Sequence, residues 1–144
     1  MTTITVSIHP SEGITTQVND GGKGTLVAER SPRFGVEGGM GYGGGEILAF
    51  AAGVCFFNNV RRLANETGLS LRGIEVDVTA ETSGDPPITR EITITPTIDG
   101  ELNESQIHAL LKQALGDSYV ADMLAHNVDI NLALSDATLR ESAA

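Results

Sequence analysis

The chain has 144 residues, which is enough for one domain with a buried core and too few for two. Its net charge is −10, and it has only nine lysine and arginine residues. This composition argues against binding nucleic acid, because phosphate recognition needs a basic surface. The single cysteine excludes an internal disulfide. No signal-peptide pattern follows Met1, and no apolar stretch approaches the length that crosses a membrane, so we expect a soluble, cytoplasmic protein.

The N-terminal residues predict a small antiparallel sheet. Apolar and polar residues alternate from Ile4 to Ile8, and residues 14–18 and 25–29 indicate two further strands separated by turn residues. The chain then changes character between Ser31 and Gly45, where six of the residues 38–45 are glycine. Regular structure is expected to stop in this glycine-rich loop.

A long helix is predicted from Glu46 to Thr67, with Gly68 placed to end it. Its first half is apolar almost all round, which predicts burial. Two alternating runs follow, Ile74–Ala80 and Ile88–Ile98, and turn residues join them. They predict a hairpin with one face toward the core.

The last third of the chain predicts two more helices and a strand. Asn103 and Gln106 have the spacing of a capping box in front of an amphipathic helix, and Ser118 can start a second, short helix. Residues 128–134 alternate as a final strand. The predicted fold is therefore α+β, an antiparallel sheet wrapped on a long central helix, as one domain over residues 1–135 with a frayed tail at 136–144.

Cys55, inside the long helix, is the candidate for chemistry. At about 100° per residue, Asn59 and Arg62 lie on its side of the helix, and Arg62 carries the positive charge there. A nearby cation favours a reactive thiolate, whereas burial among apolar neighbours favours an inert core thiol. Glu46, nine residues earlier, faces the other side of an ideal helix and is expected to complement the helix dipole.

The segment Gly44-Gly-Glu-Ile-Leu-Ala-Phe-Ala-Ala-Gly-Val-Cys55 resembles the OsmC and Ohr family, as do Gly68-Leu-Ser-Leu-Arg-Gly73 and the strand from Ile74 to Val78. The pattern extends through the hairpin, the amphipathic helix and the terminal strand. This resemblance implies an intertwined homodimer with two sites at the subunit interface. It also implies thiol peroxidase chemistry, in which Cys55 attacks an organic hydroperoxide and becomes a sulfenic acid.

The chain departs from the family pattern at three places. Ser118 stands where the family carries the second cysteine, which recaptures the sulfenic acid as a disulfide. The entry proline is missing, and the acidic residue is found nine positions before Cys55, as Glu46, instead of ten. The family also uses an N-terminal arginine to steady the thiolate. The available substitutes are Arg30, Arg33 and Arg62.

The predicted function is reduction of organic hydroperoxides by Cys55 with an external thiol reductant, in defence against oxidative stress. The alternative is a binding module for a small apolar ligand, without catalysis. The side chains that could line its pocket are Phe34, Met40, Tyr42, Phe56 and Phe57.

No cofactor or metal ion is expected. The glycine pattern of residues 39–44 matches a dinucleotide fingerprint in its letters, but it lacks the preceding buried strand that such a site needs. The histidines are too dispersed for a metal site. They are His9, His108 and His126.

Overall fold

The computed structural model describes residues 7–10, 16–19, 25–28, 43–134 and 138–140. The chain divides into two compact units, Met1–Ile47 and Leu48–Ala144. The single domain over residues 1–135 stays a prediction.

The first unit contains a three-stranded sheet. Its strands are β1 (Ser7–Pro10), β2 (Thr16–Asn19) and β3 (Thr25–Ala28), and they lie in that order. Both strand pairs are antiparallel. The predicted meander is confirmed.

Helix α1 runs from Gly44 to Glu66, so it begins two residues earlier than the sequence indicated. Gly68 ends it in the left-handed region with φ of 70°, a conformation that side chains other than glycine rarely adopt. The amide of Leu69 then donates to the carbonyl of Ala64 at 2.9 Å. The predicted glycine stop is confirmed.

The burial of α1 is confined to one face. Ala52, Phe56 and Val60 are fully buried, whereas the Phe50 side chain is 65% exposed and Val54 is 39% exposed. In the single chain, the described part of the apolar first half is therefore buried on one side, and burial of its other sides stays a prediction. An apolar helix needs cover on every side to be buried all round, and the described elements cover one side of α1.

Helix α1 also corrects the expectation about membrane spans. Its 23 residues are long and apolar enough to cross a bilayer by length and composition. The core helix of a soluble protein passes the same test. Because the buried residues of α1 belong to the apolar core, the helix has the character of a core helix.

The second unit contains a mixed sheet. Strands β4 (Leu71–Ser83) and β5 (Ile88–Gly100) form the predicted antiparallel hairpin. Strands β6 (Asp129–Leu132) and β7 (Leu139–Arg140) both pair with β5 in parallel. The predicted wholly antiparallel sheet is therefore wrong, because the chain crosses over through two helices before it returns to β5.

Strand β7 falls within the segment predicted to fray. Leu139 pairs with Ile98 and Arg140 with Asp99, on the edge of β5 that β4 leaves free. Thr138, directly before the strand, is buried. A frayed tail is thus wrong for residues 138–140.

Two helices connect β5 to β6. Helix α2 (Glu104–Gly116) begins at the predicted capping box, in which the Gln106 amide donates to Asn103 Oδ1 at 2.8 Å and the Asn103 amide donates to Gln106 Oε1 at 3.2 Å. Helix α3 (Tyr119–Leu124) follows, and Ser118 is its N-cap. Both predicted helix starts are confirmed.

The two faces of the mixed sheet differ in chemistry. One face carries the core, with Ile92, Ile94 and Ile98 fully buried. The opposite face carries an acidic row, in which Glu81 of β4 pairs with Glu91 of β5 and Glu91 pairs with Asp129 of β6. Like charges directly opposite each other destabilise a sheet, so the repulsion in this row lowers the stability of the sheet unless solvent screens it.

Candidate functional site

Cys55 lies in the middle of α1 and is partly buried. Its neighbour Phe56 is fully buried in the core. Phe57 is partly buried, and the guanidinium of Arg61 lies 5.9 Å from the centroid of its ring. The thiol is therefore held on a rigid element, next to a residue that anchors this turn of the helix.

Gly53, two residues before Cys55, lies against strand β4. It is buried, and a Cβ atom placed there would lie 2.7 Å from Cγ2 of Val78 on β4. Carbon atoms in favourable contact lie about 3.5–4.0 Å apart. Only a residue without a side chain fits this approach as it stands.

The side of α1 that carries Cys55 is tied to the end of α2. One turn after the cysteine, Asn59 Nδ2 donates to the carbonyl of Ala114 at 3.2 Å. A turn further, Arg62 Nη2 donates to Asp117 Oδ2 at 2.7 Å. The junction between α2 and α3 is thus fastened to the same helix side as the thiol.

Arg62 is engaged by two carboxylates. Its Nη1 also contacts Glu66, with the shorter distance 2.9 Å. The hydrogen bond to Asp117 is the main cause that raises the pKa of Arg62, and the bond to Glu66 adds to it. The positive charge of Arg62 is therefore paired with these two carboxylates.

The same contact lowers the pKa of Asp117 below 3.8, the ordinary value of that group, chiefly because Arg62 donates to it and secondly because Gln113 does. A carboxyl group with a lowered pKa stabilises the fold at pH values above its unfolded pKa. That contribution disappears as the pH falls through the lowered pKa. The pair belongs to the surface, so its contribution is modest and sensitive to salt.

We expect Arg62→Gln to raise the pKa of Asp117 toward its ordinary value, because the main hydrogen-bond donor is lost. Titration of the Asp117 side-chain carbon by NMR measures this shift. The stability difference from wild type should be present at neutral pH and vanish at strongly acidic pH. Arg61→Gln is the matched control, since Arg61 is adjacent on α1 and contacts the Phe57 ring; an equal shift in both variants would contradict the assignment.

Glu46 lies in the first turn of α1. Its Oε2 accepts a hydrogen bond from the backbone amide of Gly43 at 2.7 Å. Such a contact satisfies one of the free amides at a helix start, and the negative charge complements the dipole. The described contact of Glu46 is thus a capping contact.

Ser118 is almost completely buried, with 1% of its surface exposed. Its Oγ accepts a hydrogen bond from the amide of Ala121 at 3.2 Å, as expected for an N-cap. Asp117, which precedes it, holds Arg62. The position that the resemblance assigns to a second cysteine is therefore an interior position at the fastened junction.

Several candidates lie outside the described residues. They are Arg30, Arg33, Phe34, Met40, Tyr42 and most of the glycine-rich loop. His9 lies within β1, where only the backbone is described. Among the residues that the structure describes, no group of three or more His, Cys, Asp and Glu side chains is arranged to hold a metal ion.

Sequence reasoning missed Gly53 and Asp117. A glycine inside an apolar helix pattern is a signal of close packing, and that signal was present. Asp117 has no comparable signal, because its partner Arg62 is 55 residues away in the chain.

Comparison with known proteins gives a consistent result. The family model described as OsmC-like protein matches residues 37–133. No curated protein matches the chain.

Solved structures share the fold over nearly the full length. An OsmC like protein from Mycoplasma pneumoniae has a TM-score of 0.80 at 14% identity and covers 97% of both chains. An organic hydroperoxide resistance protein OsmC from Legionella pneumophila has a TM-score of 0.76 at 21% identity, covering 94% of this chain and 98% of that one. OhrB, the organic hydroperoxide resistance protein of Bacillus subtilis, has a TM-score of 0.66 at 19% identity, covering 93% and 98%.

Proposed function

The chain belongs to the OsmC-like protein family, and from that premise we propose that it reduces organic hydroperoxides through Cys55, with an external thiol as reductant. The observation that carries the proposal is the placement of a partly buried thiol on α1, on the helix side fastened to the α2–α3 junction. Structural relatives described as organic hydroperoxide resistance proteins support the substrate class.

The reaction begins with the Cys55 thiolate. Its sulfur attacks the terminal oxygen of the hydroperoxide, the O–O bond breaks, and the alcohol leaves after taking up a proton. Cys55 is then a sulfenic acid. The cysteine has lost two electrons and the peroxide has gained them.

The sulfenic acid must be reduced by a second molecule, because the chain has no other cysteine. A thiol of the reductant attacks the sulfur of Cys55, water leaves, and a mixed disulfide forms. A second thiol displaces Cys55 as a thiol and completes the oxidation of the reductant to a disulfide. A dithiol supplies both steps from one molecule.

We place this activity in a cytoplasmic homodimer that takes part in defence against oxidative stress. The exposed side chains of Phe50 and Val54 on α1 support association, since an apolar helix face is stabilised when a second subunit covers it. In this arrangement the partner subunit also contributes to the surroundings of Cys55.

Treatment of the reduced protein with cumene hydroperoxide and then dimedone tests the proposal. We expect one dimedone adduct on the wild-type protein by intact mass, and none on Cys55→Ser, because dimedone reacts with sulfenic acids. A wild-type thiol that stays unmodified in excess peroxide would refute peroxidase activity. Repeating the reaction with a dithiol or a monothiol present identifies the class of reductant by loss of the adduct.

Ser118 favours a second candidate function, a binding module for a small apolar ligand that lacks the peroxidase cycle. A serine at the position of the second cysteine cannot form the disulfide. Phe56 is fully buried and belongs to the core, so Phe57 is the described aromatic side chain that remains for such a pocket. Native mass spectrometry of the freshly purified protein tests this candidate, since a co-purified ligand adds a discrete mass.

A further inference from the structure

We propose that Gly53 is a positioning residue for Cys55. Because Gly53 has no side chain, α1 packs close to β4, and this short distance between helix and strand sets the position of the thiol. This inference rests on the proposed function for its chemical meaning. The contact that carries it is the 2.7 Å between a Cβ atom at position 53 and Cγ2 of Val78.

The contact joins a buried residue to a partly buried one. Gly53 is buried, and Val78 packs against the core from β4. The obstructing atom is a methyl group of a β-branched residue, which has few alternative rotamers. A methyl group at position 53 would therefore displace this turn of α1 or push Val78 out of place.

The direction of that displacement follows from helix geometry. Cys55 is two residues after Gly53, so it lies about 200° round the helix, on the side away from β4. On that side Asn59 and Arg62 hold Ala114 and Asp117. A helix pushed off β4 moves Cys55 toward the α2–α3 junction and compresses these contacts.

The thiol is sensitive to such a movement because the attack on a peroxide needs alignment of sulfur with the O–O bond. Misplacement of a reacting group by about 1 Å can lower a rate roughly 100-fold. Helix propensity works in the opposite direction, since alanine is favoured over glycine inside a helix. A lower rate in Gly53→Ala would therefore arise from the contact with Val78 and not from a weaker helix.

The experiment is a double-mutant cycle with Gly53→Ala, Val78→Ala and the combined variant. Gly116→Ala is the control glycine, because it is exposed in α2 and a Cβ there meets nothing within 4 Å. Two rates are measured on folded protein at one temperature: oxidation of Cys55 by cumene hydroperoxide, trapped with dimedone, and alkylation of Cys55 by iodoacetamide. Thermal unfolding is recorded for every variant.

We expect Gly53→Ala to lower the peroxide rate constant about tenfold or more, and the combined variant to recover to within about threefold of Val78→Ala. Gly116→Ala should react as the wild type does. A Gly53→Ala protein that melts earlier but reacts at the wild-type rate would overturn the proposal, since a purely structural role changes stability alone. A combined variant that stays slow would overturn it as well, because the Val78 methyl would not be the cause.

The two rates separate this inference from the proposed function. If wild-type Cys55 does not react with peroxide, the peroxidase proposal fails, but the alkylation rates still test the role of Gly53. An alkylation rate that changes in Gly53→Ala and returns in the combined variant supports positioning. Alkylation rates that stay unchanged refute it. If Gly53→Ala alone does not fold, the combined variant is compared with Val78→Ala. Equal rates support the contact as the cause, and a slow combined variant refutes it.

Discussion

Ser118→Cys is expected to change the product of peroxide treatment from a sulfenic acid to an intramolecular disulfide. The position belongs to the junction that Asp117 and Ala114 fasten to the Cys55 side of α1. A thiol at position 118 would attack the sulfenic acid and release water, so the mass falls by two hydrogens relative to the reduced variant. The dimedone adduct should disappear, and turnover with a dithiol should rise at least about tenfold because capture becomes intramolecular.

The matched control for this substitution is Ser118→Ala. Both variants lose the hydroxyl that accepts from Ala121, and loss of an N-cap lowers stability by about 1 kcal/mol. Only the cysteine supplies a second thiol. A dimedone adduct that persists in Ser118→Cys would contradict this prediction, because it would show that the thiols at positions 55 and 118 do not meet.

Phe56→Ala is expected to lower the free energy of unfolding by about 3–5 kcal/mol, which is the usual cost of removing a buried aromatic ring and leaving a cavity. Phe56 follows Cys55 on α1, and its side chain is fully buried in the apolar core. Urea unfolding of the reduced protein measures the effect. A loss below about 1 kcal/mol would contradict the packing of α1 described above.

Phe50→Ala is the control on the same helix, because the Phe50 side chain is 65% exposed. In an isolated chain this substitution should change stability by no more than about 0.5 kcal/mol. If a second copy covers the face, the wild-type midpoint rises with protein concentration and Phe50→Ala weakens that dependence. The pair of phenylalanines thus tests the core and the proposed dimer in one series.

The sequence predicted those elements that depend on neighbouring residues. The capping box of Asn103 and Gln106, the N-cap at Ser118 and the stop at Gly68 are all confirmed, because each needs only a few adjacent positions. The alternation in β4 and β5 similarly indicated which face of the hairpin is buried.

The pairing of the last strands was not predictable in the same way. Alternation at residues 128–134 indicates a strand but carries no information on its direction, and β6 in fact lies parallel to β5. The pairing of β7 likewise depends on an edge of β5 that is 41 residues away in the chain, since Leu139 pairs with Ile98. Such contacts are decided by the assembled sheet.

In the candidate site, too, the local features were predictable from the sequence and the contact between helices was not. Helical spacing correctly placed Asn59 and Arg62 on one side of α1, and both reach the end of α2 from there. That Arg62 would be held by Asp117 depends on a partner from another helix, which no local pattern reveals.

The acidic row on the outer face of the sheet restricts how copies of this protein can meet. Glu81, Glu91 and Asp129 occupy neighbouring strands, which are about 4.8 Å apart, well inside the distance of about 8 Å over which physiological salt screens a charge. Two such faces brought together would repel each other, so face-to-face stacking of two sheets is disfavoured. Concentrated salt weakens that repulsion, so it is the condition under which such stacking becomes easier.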